Sequence, residues 1–192
     1  TFVQGAAVPE VWLTAFVNLF LEGGLSEGEI VLIHAGASGV GTAALQLAAA
    51  AGARVLTTAG SDAKLAACRK YGAEVAINYK SQDFAAEVLS GISGVGVNLI
   101  IDPVGGSYFQ KNLAVLAENG RLVNIGLLGG RNTDMDLAVV LGKSLRIIGS
   151  RLRHRPLTEK IRITETFKKR FWPLFDDGRL EPVVDSVLAI RD

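Results

Sequence analysis

The sequence predicts a doubly wound α/β domain, a mainly parallel six-stranded sheet with helices on both faces. Three observations lead there. From Glu29 onward, short runs rich in Val, Ile and Leu alternate with longer Ala- and Leu-rich runs. Gly or Asp-Pro marks most of the joins. The short runs are nearly continuous in apolar residues, as strands covered on both faces require.

The strand candidates are EIVLIHA (29–35), RVLTTA (54–59), VAINY (75–79), VNLIIDP (97–103), RLVNIG (121–126) and LRIIGS (145–150). Between the first two lies GVGTAALQLAAAAG, where Val40, Ala44, Leu47 and Ala51 recur at helical spacing and share one face. Further helices are expected over 62–71, 83–91, 106–117, 136–142 and 158–176. In the last, Ile163, Phe167, Phe171 and Leu174 form an apolar stripe, while Lys160, Arg162, Lys168, Lys169 and Arg170 lie mostly off it as a solvated face. A leading helix is expected from about Pro9 to Glu22, with Pro9 in its first turn.

The chain has 192 residues, of which 49% are hydrophobic and 20% charged, enough for one substantial core, so 1–192 reads as a single domain. Twenty basic residues against 19 acidic give a net charge of +1, which offers no field for nucleic acid or an anionic membrane surface. Small molecules are the expected partners. Cys68 is the only cysteine, which excludes an internal disulfide and a thiolate zinc cluster built from this chain alone, and fits a reducing, cytoplasmic compartment. The apolar opening lacks a basic leader and is interrupted by Gln4, Pro9, Glu10, Asn18 and Glu22, so neither a signal peptide nor a membrane span is read there. A start at Thr1, running directly into apolar sequence, is what a chain beginning mid-protein would show.

The most informative stretch is HAGASGVGTAALQLA, residues 34–48, between the first strand and its helix. Gly36 is read as the tight turn, Gly39 as the point of close approach to a pyrophosphate, and Gly41 as the point of close helix packing. N–H groups at the helix start then face the phosphates, aided by the helix dipole. The strict G-x-G-x-x-G spacing is not met; Gly36, Gly39 and Thr42 stand three apart instead. In this strand-turn-helix context the cluster predicts dinucleotide binding by a Rossmann fold.

A site selective for NAD places an acid at the end of the second strand, where it accepts from the ribose 2′-hydroxyl. None stands at 55–61 here. Gly60 allows close approach, Ser61 can donate a hydrogen bond and Lys64 brings a positive charge, which together favour NADPH. Asp62 is read as a first-turn acid or cap of the next helix. Tyr79 ends the third strand, where a structural hydrogen bond is the plain reading.

The strings AGASGVGTAALQLA, TTAGSDAKLAACRKYGAEVAINYK, VNLIIDPVGGSYFQKNLAVLAENGRLVNIGLLGG and GSRLRHR resemble the zeta-crystallin-like quinone oxidoreductase branch of the medium-chain dehydrogenase/reductase superfamily, over essentially the whole chain. That resemblance implies that Ser38, Gly39 and Val40 meet the pyrophosphate and that Gly60, Ser61, Lys64 and Tyr79 surround the 2′-phosphate. It also implies that Thr14 lies near the nicotinamide, and that Val104, Gly126, Leu127, Leu128, Ser150 and Leu152 line the rest of the groove. Members of the branch carry a GroES-like substrate domain ahead of this region and continue past the last strand-like run, SVLAIRD (186–192); the chain therefore reads as the cofactor half alone. Dimerisation through the edge strand LRIIGS is likewise implied.

In that branch NADPH reduces a quinone or related conjugated carbonyl without zinc, and the cofactor carries the difficult chemistry. No catalytic residue is assigned. His34 is read as structural, His154 as a poor zinc ligand, Cys68 as a small core residue, and Asp134 and Asp136 as capping residues. Two other readings stay open, an enoyl reductase module of a polyketide or fatty-acid synthase and a non-enzymatic NADPH-binding or crystallin-like protein. The run AINYKSQDF and the absence of linker sequence favour the quinone reductase.

Overall fold

The apolar runs form one parallel sheet in the computed structural model, which describes residues 1–189. Its strands are β1 (Ile30–Ile33), β2 (Arg54–Ala59), β3 (Val75–Asn78), β4 (Val97–Asp102), β5 (Leu116–Asn124) and β6 (Arg146–Gly149). They lie in the order β3-β2-β1-β4-β5-β6, and every neighbouring pair is parallel. The direction of winding therefore reverses between β1 and β4, which opens a crevice at the carboxyl ends of the strands.

Side chains along β1, β2, β4 and β5 alternate between two cores, while β6 at the edge is largely exposed. Val31, Ile33, Val55, Leu99, Ile101 and Val123 face one side with α2 (Val11–Phe16), α3 (Gly39–Ala50), α4 (Asp62–Lys70) and α8 (Leu157–Asp176). Ile30, Leu32, Leu56, Ile100 and Leu122 face the other with α5 (Phe84–Gly91), α6 (Phe109–Val115) and α7 (Leu137–Gly142). Both registers of these four strands are thus buried, and period-2 polarity is absent from them for that reason. Fully buried residues such as Leu99 and Ile100 contribute about 1.5–3 kcal/mol each. In α8 the stripe Ile163, Phe167 and Phe171 is buried as its spacing predicts, while Lys168 and Lys169 are exposed.

Four details differ from expectation. The leading helix is divided: a short α1 (Phe2–Ala6) comes first, Pro9 and Glu10 form a turn, and α2 passes into a π-helical segment, Val17–Glu22. Asn18 follows this widening, its Nδ2 donating to the Thr14 carbonyl at 2.7 Å. The helix expected over 106–117 is a 3₁₀ turn, Gly106–Tyr108, followed by α6, and it stops at Val115. Strand β5 consequently starts at Leu116, with a register shift against β4 where Asn119 takes a positive φ of 59° before Gly120. Residues 186–189 of the run SVLAIRD form no strand, and 190–192 lie outside the described residues.

The fourth difference concerns the glycine loop. Its positive φ falls on Ala35, at 54°, and not on Gly36. Gly36 is required for space, since a β-carbon there would stand 2.0 Å from Oγ1 of Thr57. Gly41 is required still more strongly, because its β-carbon would meet the backbone oxygens of Ala35 and Gly36 at 2.3 and 2.6 Å. Gly39 would touch only the flexible end of Val11, at 3.0 Å.

Candidate functional site

Each expected site residue except Thr14 follows the carboxyl end of a strand, so the sheet order arranges them along one rim. Ser38, Gly39 and Val40 come after β1, Gly60, Ser61 and Lys64 after β2, and Tyr79 after β3. Val104 follows β4, Gly126 to Leu128 follow β5, and Ser150 and Leu152 follow β6. Thr14 is half-buried on α2, whose Val11 side chain lies against Gly39 at the start of α3.

At the switch point Ser38 caps α3, its Oγ accepting from the Gly41 N–H at 3.1 Å. Its hydroxyl proton stays available to a further acceptor. The N–H groups of Gly39 and Val40 have no acceptor among the described residues. With Ser38 and Gly39 exposed, that corner presents donors and a helix dipole to an anion, and a pyrophosphate fits it.

The corner after β2 is capped by Ser61, whose Oγ accepts from the Lys64 N–H at 3.5 Å, while Asp62 is a first-turn acid. Lys64 is exposed. A β-carbon on Gly60 would lie 2.7 Å from the Tyr79 hydroxyl, so the absence of a side chain there lets the phenol lean over the end of β2. Tyr79 stands edge-on to Tyr108, with ring centroids 6.5 Å apart at 70°.

Beneath this rim lies a polar network that the sequence did not disclose. Asp102 ends β4 fully buried, and its Oδ1 accepts from the Val104 and Gly105 N–H groups at 2.7 and 3.1 Å. Its Oδ2 accepts from Nδ2 of Asn112 at 3.0 Å. A carboxylate only accepts, so the amide nitrogen of Asn112 faces Asp102 and its Oδ1 faces His34. Nε2 of His34 therefore donates to Asn112, at 2.8 Å, and Nδ1 accepts from Oγ1 of Thr58, at 3.0 Å. Burial pushes the imidazole below its ordinary pKa, against the opposing pull of Asp102. His34 is structural, as expected, packed edge-on between Phe84 and Tyr108.

The loops after β4 and β5 are joined by backbone bonds, Leu128 to the Pro103 carbonyl at 3.1 Å and Gly129 to the Val104 carbonyl at 2.7 Å. Gly126, Leu127 and Ser150 line a groove of about 670 Å³ with His154 and Arg155. The Oγ of Ser150 is buried there without a hydrogen-bond partner among the described residues. Leu128 is 82% exposed and stands apart from that groove. Leu152 lines a separate cavity of about 510 Å³ with Leu13, the neighbour of Thr14.

The remaining candidates take structural places. Cys68 is buried and burial pushes its thiol pKa up, which suits a core residue. Asp136 caps α7, its Oδ1 accepting from the Ala138 N–H at 2.9 Å. Lys80, which carries no signal of its own in the run INYK, reaches the rim beside Tyr79; Asp102, Asn112 and Tyr108 carried no signal beyond the Asp-Pro break and one polar residue in an apolar helix.

A family model described as zinc-binding dehydrogenase matches residues 39–173. A phenolphthiocerol/phthiocerol polyketide synthase of Mycobacterium tuberculosis is 40% identical over 123 residues, 64% of this chain and 6% of that synthase polypeptide. A solved structure of a putative enoyl reductase domain of a polyketide synthase superposes with a TM-score of 0.77 at 32% identity, covering 93% of this chain and 98% of that one. Escherichia coli quinone oxidoreductase complexed with NADPH superposes with a TM-score of 0.83 at 28% identity, covering 100% of this chain and 57% of that one. The chain thus spans a small part of the synthase and just over half of the quinone oxidoreductase.

The family description raises the question of zinc. Among the described residues no group of three or more His, Cys, Asp or Glu side chains converges. Both ring nitrogens of His34 are engaged and Cys68 is sealed in the core, so these donors do not fit a zinc ion. Among the described residues no helix is long and apolar enough to cross a membrane.

Proposed function

Because the chain belongs to the zinc-binding dehydrogenase family, we propose that it is the NADPH-binding half of a reductase acting on a double bond conjugated to a carbonyl. The observation that carries the cofactor choice is the corner after β2, where no acid stands from Val55 to Ser61, Tyr79 leans over Gly60 and the exposed Lys64 stands in the first turn of α4. A carboxylate there would repel a 2′-phosphate, and a lysine attracts it.

In this reading the free N–H groups of Gly39 and Val40 hold the pyrophosphate, with the Ser38 hydroxyl as a third donor. Gly60, Ser61, Lys64 and Tyr79 enclose the 2′-phosphate. Gly126, Leu127 and Ser150 line the nicotinamide half of the groove, where the unpartnered Ser150 Oγ meets a polar group, while Thr14, Val104, Leu128 and Leu152 approach the cofactor from the elements around it. Hydride transfer is the chemistry supplied at this site when the reduced dinucleotide is bound. The chain's own residues hold and orient the dinucleotide. A substrate domain completes the pocket, and two copies pair along the open edge of β6.

An enoyl group is the acceptor favoured by the synthase relative at 40% identity, against 28% for the quinone oxidoreductase. The quinone reading rests on a superposition that covers the whole of this chain. Steady-state oxidation of NADPH by the complete gene product, offered an enoyl thioester or a quinone in parallel, separates the two. Turnover of the enoyl substrate is expected, and oxidation of NADPH with neither acceptor would overturn the reductase reading.

A further inference from the structure

Lys80 stands in the turn after β3, its backbone N–H donating to Oδ1 of Asn78 at 3.1 Å. Its Cε lies 3.2 Å from the point where a β-carbon on Gly60 would stand, and the Tyr79 hydroxyl lies 2.7 Å from the same point. The end of the Lys80 side chain and the phenol therefore converge above Gly60, with the ammonium one bond beyond Cε. Neither Lys64 nor Lys80 forms an ion pair among the described residues, although Lys70, Lys111 and Lys168 each do. The nearest acid in sequence, Asp83, is taken up by Lys111 at 3.1 Å and by the Ala85 N–H at 3.0 Å. Lys80 and the phenol thus border Gly60, and the capping Ser61 and a second unpaired cation, Lys64, follow it at the start of α4.

We propose that Lys80 is a second cation of this corner, which with Lys64 forms a phosphomonoester site for the 2′-phosphate of the adenosine ribose and sets the preference for the phosphorylated dinucleotide. The proposal rests on the NADPH reading. A phosphomonoester carries a charge of about −1.5 to −2 at neutral pH, more than one lysine offsets. Lys64 approaches from the helix after β2 and Lys80 from the turn after β3, so the two cations come from different elements. Bare Gly60 admits the Tyr79 hydroxyl and the end of Lys80 to this corner.

Adenosine 2′,5′-bisphosphate and adenosine 5′-monophosphate report on this corner without turnover. Titration calorimetry of the wild-type chain and of Lys80→Gln, Lys80→Arg and Lys64→Ala with both nucleotides is the test. Lys80→Gln is expected to weaken the bisphosphate about fivefold and leave the monophosphate unchanged, as an exposed charge-assisted contact does. Lys80→Arg is expected to keep the bisphosphate affinity. Discrimination lost in Lys64→Ala but intact in Lys80→Gln overturns the role of Lys80 while leaving the NADPH reading in place. Equal affinity of the wild-type chain for both nucleotides overturns both. Equal weakening of the two nucleotides in Lys80→Gln overturns a role specific to the 2′-phosphate.

Discussion

Asn112 donates from Nδ2 to Oδ2 of Asp102 across 3.0 Å, with both side chains fully buried between α6 and β4. This bond holds the carboxylate that tethers the turn after β4, and it orients the amide that fixes the His34 tautomer. Asn112→Leu removes a donor from a buried carboxylate and an acceptor from His34 in one step. The expected loss is about 3 kcal/mol, the cost of leaving a buried charged group short of a partner. Guanidinium denaturation measures it, and a loss below about 0.5 kcal/mol, the scale of a surface substitution, would contradict the network.

The pH dependence follows from His34. Its folded-state pKa is depressed from 6.5 by burial, with Asp102 and Asn112 opposing. The unfolded chain accepts a proton below about 6.5 that the folded domain resists, so this contribution is whole above that value and is lost as pH falls toward the depressed one. Stability measured across this range should decline on acidification in the wild type. His34→Gln, which does not titrate, should flatten that decline, and an unchanged slope would count against it.

Gly41→Ala and Gly39→Ala should behave very differently. The first places a β-carbon 2.3 Å from a backbone oxygen, which cannot yield, and the second places one 3.0 Å from a side-chain methyl, which can. A loss of about 2–3 kcal/mol is expected for Gly41→Ala, at the upper end of overpacking costs, and under about 1 kcal/mol for Gly39→Ala. Thermal denaturation of the two variants distinguishes them; equal shifts would contradict the described loop.

Tyr108 backs the Tyr79 ring and packs on His34 at 4.8 Å. Tyr108→Ala should therefore lower the ratio of NADPH to NADH affinity, whereas Tyr108→Phe, which keeps the ring, should preserve it. Intrinsic fluorescence titrations with the two cofactors read the ratio. A Tyr108→Phe variant as impaired as Tyr108→Ala would assign the effect to the hydroxyl and not to the packing.

The sheet was legible because doubly buried strands write themselves as nearly continuous apolar runs, as in VNLIID. The capping role of Asp136 sits beside the helix it serves and the acid-free end of β2 is a local feature, whereas Ser61, and not Asp62, proves to be the cap of α4. What escaped was long-range. His34 meets Asn112 across 78 positions, and no local pattern announces that meeting. The early stop of α6 is hidden because Leu116 continues an apolar helical run, while its hydrogen bonds belong to β5. Lys80 is hidden by its place in a turn, where a lysine is ordinary; only the approach of β2 to β3 brings it to Gly60.

The most direct test of the cofactor assignment is equilibrium binding of NADPH and NADH to this chain, with and without Lys64→Ala. Tighter binding of NADPH in the wild type is expected, with the advantage falling about tenfold in the variant while NADH affinity holds, the scale of a charge-assisted contact to phosphate. Equal affinity for the two cofactors in the wild type would contradict the account.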